Sequence, residues 1–182
     1  DWFWSMTLTG GHVMDRINNI STVLKGTEAD AVGSEGDAIM PKLLFTEGGS
    51  QFDIYAVRSA GIDPATGQEI FIKKDGTYTY KYDEDDRVAV GNSNPVLNGS
   101  WINTLRYKGF TLSLTTSYTF GADFYNTTLQ SKVENIDPYK NVDARAYTER
   151  WKNPGDLVRF LAINTVNNQM VNSERFVERR NE

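Results

Sequence analysis

The chain has 182 residues, a formal net charge of -5 and a sequence pI near 5.0. It has no cysteine and a single histidine, His12, which excludes disulfides, thiolate metal sites, cysteine nucleophiles and multi-histidine metal centres. The acidic balance argues against a nucleic-acid partner, which needs a basic patch, and no stretch approaches the ~20 apolar residues of a spanning helix.

The first predicted element is a strand at the start of the chain. Trp2, Trp4, Met6 and Leu8 alternate with smaller polar residues and Phe3, and a period of two is typical of a β-strand because successive side chains point to opposite faces. Residues 1–14 and 100–120 together contain only three charged residues. The mean hydropathy of -0.49 therefore averages these nearly uncharged stretches with the highly charged rest of the chain. This average by itself does not indicate a soluble protein.

Residues 15–99 form a long polar segment with local order. Short strands are predicted at residues 51–59 and 69–73, with turns at residues 61–67 and 75–76. The acidic run at residues 82–86 resembles the start of a calcium loop, but Val88 stands where such a loop needs glycine, so we interpret the run as solvated. Tyr78, Tyr80 and Tyr82 alternate around Lys81 and are our candidates for contact with a solute.

Residues 97–107 and 110–120 predict a β-hairpin. Phe110, Leu112 and Leu114 alternate with Ser and Thr, and Lys108-Gly109 suits a two-residue turn. Such alternation fits a soluble sheet with one face in water or a transmembrane barrel strand with one face in lipid, and the pattern by itself leaves both open. For the second setting, the lumen-facing candidates are Ser5, Thr7, Thr104, Arg106, Thr111, Ser113, Thr115 and Ser117. The lipid-facing candidates are Trp2, Trp4, Met6, Leu8, Leu105, Phe110, Leu112 and Leu114.

Residues 121–175 form a second long polar segment. A capping box is predicted at residues 127–130. Asp143 is expected to cap a short helix that bears Tyr147 and Trp151 at positions i and i+4, and Trp151 is expected to pack this helix onto the loop. Both polar segments greatly exceed the ~4–6 residues of ordinary connections, whereas long outer loops and short periplasmic turns are usual in outer-membrane barrels. We find no convergent acid pair and no activated nucleophile, so the chain is not expected to be an enzyme.

Several blocks, taken in order along the chain, resemble the C-terminal third of a SusC/RagA-type TonB-dependent outer-membrane transporter. They are G-I-D-P-A-T-G-Q at residues 61–68, V-G-N-S-N-P at 90–95, N-G-S-W-I-N-T at 98–104, Y-K-G-F-T-L-S at 107–113, S-Y-T-F-G at 117–121, R-W-K-N-P-G-D at 150–156 and R-F-V at 175–177. Each block is weak alone, and the ordered set is specific.

The resemblance implies an all-β fold: residues 1–182 would form antiparallel strands of part of a transmembrane β-barrel, with long extracellular loops that carry short strands and short helices. It implies TonB-dependent import of oligosaccharides or peptides across the outer membrane of a Gram-negative bacterium. The implied partners are a SusD-type lipoprotein lid, TonB acting through a plug domain, outer-membrane lipid, and the glycan or peptide substrate. No cofactor, metal or nucleic acid is implied.

We expect the chain to be a piece of a longer protein, because the plug and the closing strands of such a barrel are missing from it. Three or four spanning strands cannot close a large barrel, so the strand edges should pair with other parts of the parent protein. The alternative is a soluble β-sandwich that binds carbohydrate at a cell surface. The two hypotheses differ in whether the parent protein needs detergent.

Overall fold

The fold comes from a computed structural model that describes residues 1–20, 28–29, 43–136, 139–163 and 171–181. Parts of the two long polar segments therefore lie outside the described residues. The described chain is mostly antiparallel β-sheet, which confirms the all-β prediction at that level. Its strands are β1 (Trp2–Gly11), β2 (Glu28–Ala29), β3 (Leu43–Leu44), β4 (Asp53–Ile62), β5 (Glu69–Ile72), β6 (Tyr78–Thr79), β7 (Arg87–Asn92), β8 (Leu97–Tyr107), β9 (Phe110–Tyr125) and β10 (Val177–Asn181).

The largest sheet has four antiparallel strands in the order β1-β8-β9-β10. β8 lies in the middle of three long strands: it pairs with β1 from Trp2 opposite Tyr107, and with β9 from Tyr107 opposite Phe110. β10 pairs only with the far end of β9, from Phe120 to Tyr125. The predicted strands are thus confirmed: β1 ends at Gly11, and β9 continues beyond the predicted residue 120 to Tyr125.

A two-residue turn joins β8 to β9, as predicted. Lys108 and Gly109 both have positive φ angles, 43° and 90°, which is the type I′ geometry that matches the twist of a hairpin. At the other end, the Tyr118 hydroxyl donates to the Thr9 carbonyl at 2.7 Å across Gly99. A Cβ on Gly99 would lie 2.4 Å from that hydroxyl oxygen. The hydrogen bond from Tyr118 in β9 across β8 to Thr9 in β1 therefore requires glycine at position 99.

Between β1 and β8, the described residues from Asp53 to Asn92 form a smaller sheet in the order β6-β5-β4-β7. Its central strand was predicted at residues 51–59 but runs from Asp53 to Ile62, because the far half of β4 pairs with β5 and the near half with β7. The turns predicted at residues 61–67 and 75–76 are present: the Gly67 amide donates to the Asp63 carbonyl at 2.8 Å, and the Gly76 amide to the Lys73 carbonyl at 3.0 Å.

The segment between β9 and β10 contains α1 (Thr127–Leu129), a π-helical turn (Gln130–Glu134), α2 (Arg145–Thr148) and a 3-10 turn (Glu174–Phe176). Its apolar core consists of Leu129, Val133, Ala146, Phe160 and Phe176. The predicted capping box is wrong, because the side chain that caps α1 belongs to Asn126 and accepts from the Leu129 amide at 2.8 Å.

The helix predicted after Asp143 is present, but its aromatic side chains are not arranged as predicted. The Asp143 carboxylate accepts from the Arg145 amide at 2.9 Å, as expected of a capping residue, whereas Ala144 has helical backbone angles and no side-chain cap hydrogen bond. Tyr147 is exposed, and Trp151 lies beyond the end of the helix. The buried residue of α2 is Ala146, so the i, i+4 pattern of aromatic residues did not mark the buried face.

The two polar segments pack on each other next to the end of the large sheet. The Val57 amide in β4 donates to the Asn172 carbonyl at 3.0 Å. Asp123 in β9 accepts from the Asn92 amide in β7 at 3.1 Å, and Asn92 in turn donates to Asp53 at 2.8 Å. We refer to the described parts of residues 43–96 and 126–176 together as the outer module.

The large sheet is open. Within the described ranges no strand pairs with the free edge of β1 or with the part of β9 between Phe110 and Thr119 that faces away from β8. None of the helices in the described part of the chain has the length and hydropathy needed to cross a membrane.

Candidate functional site

One face of the large sheet is apolar and exposed. The strand register places Trp4, Leu105 and Leu112 in one row, and the row of Trp2, Tyr107 and Phe110 lies beside it. Every residue of β1 is exposed. All eight side chains predicted to face lipid lie on this one face, and we call it the apolar face.

A single amide interrupts the middle of the apolar face. Asn103 lies between Met6 and Leu114 in the register, and its Oδ1 accepts from the Trp4 indole nitrogen at 2.6 Å. This bond satisfies the indole N–H and one end of the amide at the same time. Both groups can therefore lie on a face that is withdrawn from water, where an unpaired polar group costs several kcal/mol.

The opposite face carries mainly hydroxyl groups. All the predicted lumen-facing residues lie on it: Ser5, Thr7, Thr104, Arg106, Thr111, Ser113, Thr115 and Ser117. Phe3 and Ile102 lie there as well. The Arg106 guanidinium lies 5.7 Å from the centre of the Phe3 ring, in the range of a cation–π contact. The placement of these residues agrees with the sequence, while their lumen-facing role remains a prediction.

The three tyrosines proposed to contact a solute do not form one exposed row. Tyr78 is 70% exposed. The Tyr80 hydroxyl donates to Asp63 at 2.8 Å, and this bond raises the pKa of Tyr80. Tyr82 packs edge-on against Phe71, with ring centres 5.5 Å apart. Two of the three therefore have structural contacts in the outer module, and their contact with a solute remains a prediction.

Two of the sequence blocks pack directly on each other. Trp151, from R-W-K-N-P-G-D, donates its indole N–H to the Pro64 carbonyl at 2.9 Å, and the Gly155 amide donates to the same oxygen at 2.8 Å. Gly67, from the other block, has φ +70°, and a Cβ there would lie 2.5 Å from the Trp151 ring. Trp151 thus covers a turn of the first segment, rather than packing its own helix onto the loop as predicted.

Arg150, next to Trp151, is buried and binds backbone carbonyl groups. Its guanidinium donates to Ala146 at 2.9 Å, to Leu161 at 3.0 Å, and to Val133 and Glu134. Five N–H donors in a planar group can satisfy several carbonyls that no helix or strand uses. Arg150 therefore joins the π-helical turn, α2 and the chain after it into one unit.

A second arginine, whose side chain is 10% exposed, joins the two segments. Arg175 binds Glu69 of β5 at 2.7 Å and Glu134 of the π-helical turn at 3.4 Å, and Ser173 also donates to Glu69. The two carboxylate side chains are only 2% and 4% exposed. We call Glu69, Glu134, Ser173 and Arg175 the ionic cluster.

Burial sets the protonation behaviour of this cluster. Desolvation raises the pKa of Glu134, and the positive charge of Arg175 opposes that rise. Burial alone would lower the pKa of Arg175, but its hydrogen bond and ion pair with Glu69 raise it overall. The second carboxylate oxygen of Glu134 has no hydrogen-bond partner, which agrees with the penalty on its ionised form.

Little in the sequence indicates the ionic cluster. Arg175 lies in the R-F-V block, whereas Glu69 and Glu134 lie in none of the blocks. Both carboxylates lie in segments whose neighbouring positions are apolar, Ile70 and Phe71 on one side and Val133 on the other. A charge within such a pattern is the signal that could have identified them. In the described ranges, no group of three or more His, Asp or Glu is arranged to hold a metal ion.

Comparisons with solved structures show the fold. The chain matches the structure of the RagAB peptide transporter (TM-score 0.70, 16% identity), and the RagAB peptide importer in its open-open state (0.73, 16%) and closed-closed state (0.72, 17%). Each match covers 98% of this chain and 19% of the other. No protein-family model and no curated protein sequence matches the chain. The chain thus shares its fold with a part of the RagAB structures that makes up about one fifth of the matched chain.

Proposed function

We propose that this chain is part of the barrel wall and outer loops of a SusC/RagA-type TonB-dependent importer in the outer membrane of a Gram-negative bacterium. The importer takes up oligosaccharides or peptides together with a SusD-type surface lipoprotein. The observation that carries the proposal is the large sheet, whose apolar face is exposed while the opposite face is lined with hydroxyl groups. The fold match and the ordered sequence blocks support it.

The apolar face is too large to remain in water. Trp2, Trp4, Leu8, Phe110 and Leu112 are each between 64% and 81% exposed, and each such side chain is worth ~1.5–3 kcal/mol when fully buried. Five of them amount to about 10 kcal/mol, which is comparable to the stability of a whole domain. A cover for this face is therefore part of the protein's working state.

The shape of the apolar face favours lipid as that cover. From Phe110 to Tyr118 the strand rises about 27 Å at ~3.4 Å per residue, and a tilt of ~40° reduces this to about 21 Å, close to the ~25 Å apolar band of outer-membrane barrels. Aromatic side chains lie at both ends: Trp2 stacks on Tyr107 at 4.2 Å near the turn, and Tyr118 on Phe120 at 5.9 Å at the far end. Aromatic girdles are typical of such barrels.

The soluble β-sandwich is less well supported. A sandwich would bury the apolar face against a second sheet, but the smaller sheet meets the large one through Asn92 and Asp123 near its end. The exposure of every residue of β1 shows that no other described segment covers that strand.

In this proposal the protein transports and does not catalyse. The outer module and the hydroxyl-lined face bind the solute, the lipoprotein lid encloses it, and TonB moves a plug domain located elsewhere in the parent protein. The Ser and Thr side chains suit a wet lumen, because a hydroxyl both donates and accepts hydrogen bonds. Arg106 supplies positive charge to that surface.

The proposal is tested on the parent protein that contains this chain. We expect it to fractionate with the outer membrane, to require detergent, and to migrate faster on SDS gels when it is not boiled, since a closed barrel resists SDS. A tagged parent protein should also retain a surface lipoprotein through purification in mild detergent. A parent protein that is fully soluble without detergent would refute the membrane assignment.

A further inference from the structure

An open groove of about 570 Å³ lies beside the outer half of β4. Its walls include the aliphatic residues Ala60, Ile62, Leu157 and Val158 and two residues of opposite charge, Glu149 and Arg159. Neither the ionic cluster nor Trp151 lines this groove.

The strand that lines the groove has an open edge. β7 pairs with β4 only from Asp53 to Val57, and β5 pairs with one edge of β4 at Gly61 and Ile62. No strand in the described part of the chain pairs with the opposite edge at these two residues. The three residues from Ala60 to Ile62 extend about 10 Å, enough for a short extended chain to add by main-chain hydrogen bonds.

The space beside Gly61, which lines the groove, is open. No heavy atom lies within 4 Å of the position that a Cβ of Gly61 would occupy. A glycine at such a place allows another backbone to approach closely. Leu157, on the facing wall, is 87% exposed and can cover an apolar side chain that lies on this edge.

The two charged residues suit the ends of a free peptide. Glu149 can bind an ammonium group, and Arg159 can bind a carboxylate while it keeps its ion pair with Glu178 at 2.7 Å, because a guanidinium has five N–H donors. An aliphatic wall suits peptide side chains. Sugar rings are instead bound against aromatic faces, and no aromatic side chain lines this groove.

We infer that this groove binds a short extended peptide with free termini, which adds as a strand to the open edge at Ala60–Ile62. The inference rests on the proposed function and deepens it, since it selects peptide over oligosaccharide as the solute of the outer module. Leu157 covers an apolar side chain of the peptide, and Glu149 binds its amino terminus.

The test uses the full-length parent protein, purified in detergent, and isothermal titration calorimetry. The probes are the peptide Ala-Leu-Val-Leu-Ala with free termini, the same peptide acetylated at its amino end, and maltoheptaose. We expect the free peptide to bind, and Leu157→Lys to weaken its binding about tenfold or more, because an apolar contact of one leucine is worth that much. Val142→Lys, at an exposed position outside the groove, is the matched control and should leave binding unchanged.

Glu149→Gln adds a more specific readout. It should weaken binding of the free peptide and leave binding of the acetylated peptide unchanged, which a merely structural role would not do. The inference is overturned if no peptide binds, if Leu157→Lys leaves peptide binding unchanged, or if maltoheptaose binds and Leu157→Lys abolishes it. A variant that stays in the outer membrane and keeps its heat-modifiable mobility shows that the proposed function holds even when the groove assignment fails.

Discussion

Leu114 and Thr115 are consecutive residues of β9 whose side chains lie on opposite faces of the large sheet. Leu114 is on the apolar face and 53% exposed. It is four residues beyond Phe110, the first residue of β9, which places it about 14 Å along the strand. With a tilt of ~40° this is a depth of about 10 Å, near the middle of the apolar band. The two positions therefore differ mainly in the face that they occupy.

Arginine at the two positions should have unequal effects. At the midplane of a barrel's lipid face, arginine costs ~2–4 kcal/mol, so Leu114→Arg should lower the folded-to-unfolded ratio roughly 30- to 700-fold. Thr115→Arg places the same charge in the hydroxyl-lined lumen and should cost less than ~1 kcal/mol. The free energies come from urea titrations of the full-length protein folded into phosphatidylcholine vesicles, followed by tryptophan fluorescence.

The comparison can refute the face assignment in two ways. A larger cost for Thr115→Arg would mean that the hydroxyl-lined face meets lipid. Small and equal costs for both variants would mean that neither face does, and that the soluble alternative should be reconsidered. Because both variants introduce the same residue into the same strand, a general effect on expression or strand formation would appear in both.

Three further predictions concern the outer module. Gly67→Ala should destabilise this module by more than the ~1–2 kcal/mol of positive-φ strain, because the Trp151 indole ring leaves no room for a Cβ. Gly76→Ala is the control: Gly76 has φ +87° and open space around its Cβ position, so the substitution should show the strain alone. The two variants are compared by hydrogen exchange of peptides from both polar segments. Arg175→Met should cost ~3–5 kcal/mol by leaving two buried carboxylates unpaired, and adding Glu69→Gln should recover part of that loss in the same exchange assay; no recovery would argue against a direct ion pair. Burial raises the pKa of Glu134 in the folded state. The stabilising contribution of Glu134 is therefore present below pH 4.5 and is lost as the pH rises through its folded pKa. Glutamine does not titrate, so the melting temperature of Glu134→Gln, measured relative to wild type, should increase from pH 4.5 to pH 7.5. A difference that is constant with pH would contradict the raised pKa.

The large sheet could be predicted from sequence because its signal is local. Alternation with a period of two fixes which side chains share a face, and Lys108-Gly109 fixes the hairpin and therefore the register of β8 against β9. The strand ends were less accurate, since β4 continues to Ile62 only because β5 pairs with it. That pairing depends on residues that follow β4 in the chain.

The contacts that organise the outer module were not predictable in the same way. The sequence blocks that contain Gly67 and Trp151 were recognised as blocks, but their mutual packing joins residues more than eighty positions apart. The ionic cluster joins Glu69, Glu134 and Arg175 over a similar span. Composition showed many charged residues in the polar segments and could not show which few of them are buried, because burial depends on the tertiary fold.

The ionic cluster has a consequence for exchange of sequence between related proteins. The two polar segments look like separate loops that recombination or loop grafting could replace one at a time. Arg175 in the second segment, however, binds Glu69 in the first, and Trp151 covers a turn of the first. A donor loop inserted alone would leave a buried charge and an uncovered turn, so the two loops should be inherited and engineered as a pair.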